Sequence, residues 1–258
     1  MRLIVLSPHP DDAVLSVGAA LVERVAAGHE VVVVSVCTLT QDPTRPDEDR
    51  AALGSLGVTA LHLNLLDAPV RGVARTWAGL CGGFDDVAFT DLVTQRFTAL
   101  KSSELLHPRA GVEIWAPLGC GAHIDHRAVS DAAVAVFANL SLYEERPYAR
   151  RRGAVAAAWR RRGAEILVEG DDHDNVDDDL FFDRLMGAPP PLLASTTTPL
   201  SVRLPNQQSW RRCALPVDDA ARHARQRAIA LYASQAPLLF CRPPGWPFDD
   251  VTEGLWQP

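Results

Sequence analysis

The most constraining feature of this chain is a set of short apolar runs recurring at the spacing of strand–helix units. Residues 2–6 read Arg-Leu-Ile-Val-Leu and residues 30–36 read Glu-Val-Val-Val-Val-Ser-Val. A run that is apolar at successive positions, not alternate ones, suits a strand buried on both faces. Thr59–Leu65 and Val112–Ala116 supply a third and fourth strand. Between them lie segments of helical character. Asp11 or Asp12 caps a helix running to about Ala27, with apolar Val14, Leu15, Val17, Leu21, Val22 and Val25, and Gly28 stands where a C-terminal cap belongs. Asp47–Leu56, Val87–Leu106 and His126–Asn139 read as further helices. Strands alternating with helices at these lengths imply a parallel sheet covered on both faces.

The expected fold is therefore α/β: a Rossmann-like, mostly parallel sheet with helices on both faces and a less regular C-terminal third. One domain over residues 1–258 is the economical organisation, with the Rossmann-like core in 1–140 and a substrate-side part in 141–258. That second part holds an arginine-rich stretch at 144–163, an intensely acidic run at 171–179 and a turn-rich break at Gly187–Pro191. Val217–Ser234 reads as a final helix, and the proline-rich tail from Pro237 as irregular.

Composition excludes several function classes. The 258 residues are 47% hydrophobic and 22% charged, which leaves ample apolar area for one sizeable core. No stretch of about 18 apolar residues exists to span a membrane. The run Leu3-Ile4-Val5-Leu6 is too short for a signal-peptide core and shows no cleavage pattern, so a cytoplasmic protein is expected. A net charge of −7 does not draw a phosphate backbone, and nucleic acid is not expected as a partner. Cys37, Cys81, Cys120, Cys213 and Cys241 are scattered, without CxxC spacing, and read as free thiols.

Two polar clusters stand out against this background. Pro8-His9-Pro10-Asp11-Asp12 falls at the carboxyl end of the first strand, where open α/β sheets place their ligand sites. One imidazole and one carboxylate suit a borderline cation such as zinc, leaving the second carboxylate to take a proton from water. Taken alone, the segment serves equally well as a helix cap. The second cluster, Gly119-Cys120-Gly121-Ala122-His123-Ile124-Asp125-His126, follows the fourth strand and also opens a helix. In a parallel sheet the two can converge. A catalytic zinc site takes three protein ligands and an open position. His9, Asp12 and His126 supply three; Asp11 and His123 remain for deprotonating water and meeting a developing oxyanion. Asp125 is placed to orient His123 through its ring N–H.

These motifs resemble those of the PIG-L/LmbE-like N-acetylglucosaminyl deacetylases. Pro8-His9-Pro10-Asp11-Asp12 is similar to the family's AHPDD segment and His123-Ile124-Asp125-His126 to its HxDH segment. Arg45-Pro46-Asp47-Glu48, Leu65-Leu66-Asp67-Ala68, Tyr143-Glu144-Glu145-Arg146-Pro147-Tyr148 and Arg227–Gln235 resemble further family segments in order, with a gap near 160–215. The resemblance implies one zinc per chain on His9, Asp12 and His126, Asp11 as general base, and His123 stabilising the tetrahedral intermediate. It implies that Arg45 and Asp67 contact polar groups of the substrate. The implied substrate is a small acylated aminosugar, in natural-product assembly or as the precursor of a low-molecular-weight thiol; homo-oligomers are common in the family. The sequence departs from the family at Ala13, where Glu is frequent, and at Pro8, where the motif has Ala.

Competing readings are weaker. Cys120 as a fourth ligand would close the water position. His173 as a second metal ligand sits in a like-charge run that reads as a solvated loop, or as one overhanging the active-site mouth and favouring a cationic substrate. The first strand–helix turn lacks G-x-G-x-x-G, and no G-x-S-x-G elbow occurs, so neither a dinucleotide-binding module nor a serine hydrolase fits. An amidase on a thiol–sugar conjugate and a catalytically silent sugar binder are the remaining alternatives.

Overall fold

Successive residues of β1 (Arg2–Ser7) pack into opposite cores, which is why the run has no polar alternation. Leu3 and Val5 join one cluster, Ile4 and Leu6 the other, and Val31/Val33 and Val32/Val34 of β2 (Glu30–Ser35) divide in the same way. The computed structural model describes residues 1–83, 85–104, 111–151, 153–171, 197–235 and 252–258. The acidic residues 172–179 with His173, the Gly187–Pro191 break and Cys241 lie outside them.

Strands β3 (Thr59–His62), β4 (Val112–Pro117) and β5 (Ser141–Tyr143) extend β1 and β2 in parallel, in the order β3-β2-β1-β4-β5. On one face lie α1 (Asp12–Ala26), α2 (Arg45–Ser55) and the last described helix, Asp219–Ile229, through Val14, Leu21, Leu53, Ala228 and Ile229. On the other lie α4 (Val87–Lys101), α5 (Ile124–Val136) and α6 (Ala154–Arg161), through Val93, Phe97, Ala128, Val129 and Trp159. A short α3 (Trp77–Cys81) precedes α4, and Asp219–Ile229 becomes α7. No described helix is long and apolar enough to cross a membrane.

The C-terminal third departs from the parallel pattern. β6 (Glu165–Asp171), β7 (Thr197–Arg203), β8 (Ser209–Pro216) and β9 (Thr252–Gln257) form antiparallel pairs, and β9 attaches them to β5. The tail expected to be irregular thus ends in a strand, and the arginine-rich stretch contains α6, whose Ala154, Val155, Ala158 and Trp159 are buried. Helix α4 stops at Lys101, short of Leu106, while α2 begins at Arg45, before the expected Asp47. Strand β3 ends at His62, after which Leu63 and Leu65 still donate to the Ser35 and Val36 carbonyls.

The two halves are joined through a break in α1. Val17 has non-helical φ/ψ, and the N–H groups of Ala19 and Ala20 donate instead to Glu253 of β9, at 3.0 and 2.8 Å. Arg225 of α7 donates to the same carboxylate at 2.8 Å. Gly18 permits that approach, since a Cβ there would lie 2.9 Å from Arg225 Cγ.

Candidate metal centre

The strand order reverses around β1: its successor β2 lies on one side and β4 on the other. A crevice opens at the carboxyl ends of the strands at such a switch point, and both polar clusters converge there. His9 follows β1, Asp12 opens α1, His123 caps α5 and His126 sits in its first turn. All four are buried, with Asp11 beside them.

A single Asp12 oxygen, Oδ2, organises the centre. It lies 3.1 Å from His9 Nδ1, 3.2 Å from His126 Nε2 and 2.9 Å from the His9 backbone nitrogen. Zinc bonds of about 2.0–2.1 Å at tetrahedral angles put ligand atoms about 3.3–3.4 Å apart. The donor set and its spacing therefore fit a zinc ion. The electrostatics agree. Burial works against charge on His9, but Asp12 and Asp125 outweigh it and lift its pKa to about 9. His126 rises to about 10 in the same way, against its own burial, through Asp12 and Glu145. Burial would raise Asp12, but His126 and then His9 hold it far below the usual carboxylate range. Carboxylates that favour positive charge on two buried imidazoles also favour a divalent cation held between those rings and Asp12.

Asp11 stands apart from this triad. Its backbone has φ 102°, a strained conformation for a non-glycine residue. Burial pushes its carboxyl up to about 7, against the pull of Arg45 and with a further push from Asp12. Arg45 donates to Asp11 Oδ2 at 3.0 Å and to the Pro10 carbonyl at 2.9 Å. Expected to touch substrate, Arg45 does line the cavity, but this guanidinium nitrogen is engaged on Asp11. Asp67, also buried on the cavity wall, accepts the Val70 N–H on Oδ1 at 3.0 Å.

His123 differs from the other imidazoles. Burial, followed by the charges of His126 and His9, drives its pKa well below the ordinary value. Its Nδ1 accepts the Asp125 backbone N–H at 3.2 Å, so the neutral ring carries its proton on Nε2. The expectation that the Asp125 carboxylate orients His123 is not what the structure shows. That carboxylate lies 2.9 Å from His9 Nε2 and accepts the Ala68 N–H at 2.9 Å and Arg71 at 2.7 Å. With His123 capping the helix, the side chain two residues on turns back toward β1.

Cys37, His9 and Asp125 form a second group within ligand distance of one another. Burial keeps the Cys37 thiol protonated, and Asp125 is already engaged by Arg71 and Ala68, so this group serves the back of His9. Cys120 belongs to neither group of possible metal ligands among the described residues. Two residues of the Tyr143–Tyr148 segment had no role assigned from the sequence. Glu145, fully buried, lies 3.3 Å from His126 Nδ1. Tyr148 sets its ring edge-on to His126, at 5.1 Å between centroids, and fills the space where a Gly121 side chain would stand. The signal for Glu145 was two acidic residues directly after an apolar strand.

The site opens into a cavity of about 150 Å³ lined by His9, Asp11, Asp12, His123, Asp67 and Tyr148 among others. Residues 4–137 match the family model for PIG-L, described as GlcNAc-PI de-N-acetylase. No curated protein matches the sequence. Among solved structures, the chain is similar to the A40926 pseudoaglycone deacetylase, with 20% identity, a TM-score of 0.63 and coverage of 99% of this chain and 96% of that one. It is similar to the zinc-inhibited form of a teicoplanin deacetylase, with 21% identity, a TM-score of 0.64 and coverage of 99% and 97%. A deacetylase–teicoplanin complex matches with 20% identity, a TM-score of 0.62 and coverage of 100% and 98%.

Proposed function

The chain belongs to the PIG-L family of GlcNAc-PI de-N-acetylases, and from that membership we propose that it is a zinc-dependent hydrolase removing an acetyl group from the amine of an aminosugar. The observation that carries this reading is a cluster of three ligand atoms, two of them from residues lining one cavity, with a separate carboxylate and a neutral imidazole on the same cavity wall.

His9 Nδ1, Asp12 Oδ2 and His126 Nε2 would hold the ion. Zinc bound there acidifies water and polarises the amide carbonyl. Asp11, held at the cavity wall by Arg45, takes the proton of the attacking water and returns it to the amine nitrogen as the amide C–N bond breaks, releasing acetate and the free amine. His123 donates its Nε2 proton in a hydrogen bond to the oxyanion that develops on the amide oxygen; as a neutral donor it needs no proton supplied first. Asp67 has an oxygen beyond the one that accepts Val70, and it receives a sugar hydroxyl there. The similar structures are an A40926 pseudoaglycone deacetylase and a deacetylase of the teicoplanin biosynthesis pathway in complex with teicoplanin, which favours an aminosugar carried on a natural-product scaffold.

The test is acetate release from a panel of N-acetylated aminosugars, free and scaffold-linked. Zinc-loaded protein should release acetate, lose that activity on chelation and regain it with added zinc. Failure of the zinc-loaded protein to act on any member would remove the deacetylase reading and leave the silent sugar binder.

A further inference from the structure

Glu145 has no part in the reaction above, yet its buried carboxylate touches two separate pieces of the site. Oε1 lies 3.3 Å from His126 Nδ1 and accepts the Gly119 N–H at 2.7 Å. The Cys120 N–H lies 3.2 and 3.1 Å from the two oxygens. Gly119 and Cys120 begin the turn that delivers His123 to the cavity. We propose that Glu145 is the positioning residue that registers the ligand His126 against the oxyanion donor His123. The inference rests on the zinc reading of His9, Asp12 and His126.

Hydrogen-bond chemistry carries the first half. Glu145 Oε1 already accepts the Gly119 N–H, so His126 Nδ1 faces an accepting oxygen and donates to it. A neutral ring that donates from Nδ1 keeps its lone pair on Nε2, the atom 3.2 Å from the Asp12 oxygen, and that is the tautomer a metal requires. Backbone conformation carries the second half. Gly119, Gly121 and Ala122 have φ of 90°, 71° and 59°, so the turn is wound through left-handed residues, one of them not glycine. Such a turn persists when contacts outside it hold it, and the Glu145 oxygens hold its first two N–H groups. Leu118 just before it is tied to the Tyr143 carbonyl, so the turn and Glu145 hang from the same strand.

The neighbouring carboxylate provides a control. Glu144 is equally buried but accepts from Arg212 at 2.7 and 2.8 Å and from Trp256 at 3.0 Å, away from the metal ligands. Adjacent residues thus divide two tasks, one holding the antiparallel strands and one the site. Glutamine cannot replace Glu145 in full. If its oxygen takes the Oε1 place beside His126 and Gly119, its amide N–H groups meet the Cys120 donor; if it turns over, they meet both His126 and Gly119.

Zinc affinity of the full chain, measured by competition with a chromogenic chelator, tests this. E145Q should bind zinc about 10–100-fold more weakly than wild type. At saturating zinc its kcat should fall by about tenfold or more, with KM within about twofold, because a displaced donor costs the transition state. Cobalt-loaded E145Q should also show a shifted visible spectrum. E144Q should lower the melting temperature yet leave zinc affinity and the cobalt spectrum unchanged. If E145Q does not fold, E145D carries the test: the shorter side chain keeps the charge but cannot reach both the ring and the turn, and zinc affinity should again fall. Wild-type affinity and spectrum in whichever variant folds would overturn the proposal, as would an unchanged kcat at saturating zinc. A wild-type protein that binds no zinc would overturn the metal reading itself, a distinct failure.

Discussion

The parallel and antiparallel halves of the sheet use buried charge for opposite purposes. At the carboxyl edge of β1 and β4, Asp11, Asp12, His9 and His123 line a cavity, with the buried Asp125 and His126 packed behind them. In the antiparallel half, Glu253 and Glu144 are as deeply buried, but each is closed off by donors: Glu253 by Arg225, Ala19 and Ala20, and Glu144 by Arg212 and Trp256. A buried charge whose donors are complete is attachment. A buried cluster that holds protons it would rather exchange for a cation is chemistry. The comparison predicts that substitutions at the parallel edge alter turnover and metal content, while those in the antiparallel half alter stability.

The largest effect should follow the loss of a ligand. His126→Ala should lower zinc affinity by at least about 100-fold, beyond what removal of an outer partner costs, and abolish turnover. Metal analysis after dialysis checks it; normal zinc content would show that the ligand set is wrong. Asp11→Asn comes next. Turnover should drop by about 10²- to 10⁴-fold, the usual contribution of a general base, while zinc content stays at the wild-type level. Retained activity would remove Asp11 as base, and lost zinc would make it a ligand.

Glu253→Gln probes the other half. It removes the charge of a fully buried pair and one acceptor for the broken turn of α1, and should cost about 3–5 kcal/mol of stability. Urea unfolding at fixed zinc measures this, and kcat in the absence of urea should hold. A large fall in kcat with little change in stability would contradict the division between the halves.

How much of this was legible follows the same line. β1, β2 and β4 could be read because strands covered on both faces are apolar at every position. β8 could not: Trp210 is buried and Arg211 exposed, and the half-buried Arg212 and Cys213 after it hide the pattern. β9 is distant in sequence from both β5 and β8, and pairing across such a distance leaves no local signal. In the candidate site, the convergence of the two clusters was legible because each follows a parallel strand. The partners within it were not. Sequence proximity paired Asp125 with His123, but the helix start aims the Asp125 carboxylate at His9, in the loop after β1. Arg45 reads as a solvated or substrate-facing cation until the fold brings it against Asp11, 34 residues earlier.

The smallest effect should come from Asp67, and it tests whether the parallel edge extends its chemistry to the sugar. Asp67 hangs from the loop after β3: its N–H donates to the Leu39 carbonyl at 3.1 Å and its Oδ1 caps Val70. Asp67→Asn keeps the cap, because the amide oxygen still accepts from Val70. The second position then becomes an N–H donor where the carboxylate accepted. A sugar hydroxyl donating there loses a charge-assisted partner worth about 1.5 kcal/mol, or about tenfold in KM, with kcat nearly unchanged because that contact is made equally in ground and transition states. Steady-state kinetics on the epimers of an active aminosugar should identify the hydroxyl, since only the epimer that presents it will feel the substitution. A KM unchanged for every epimer would reduce Asp67 to a loop cap, and the parallel edge would then bind the acyl amide alone.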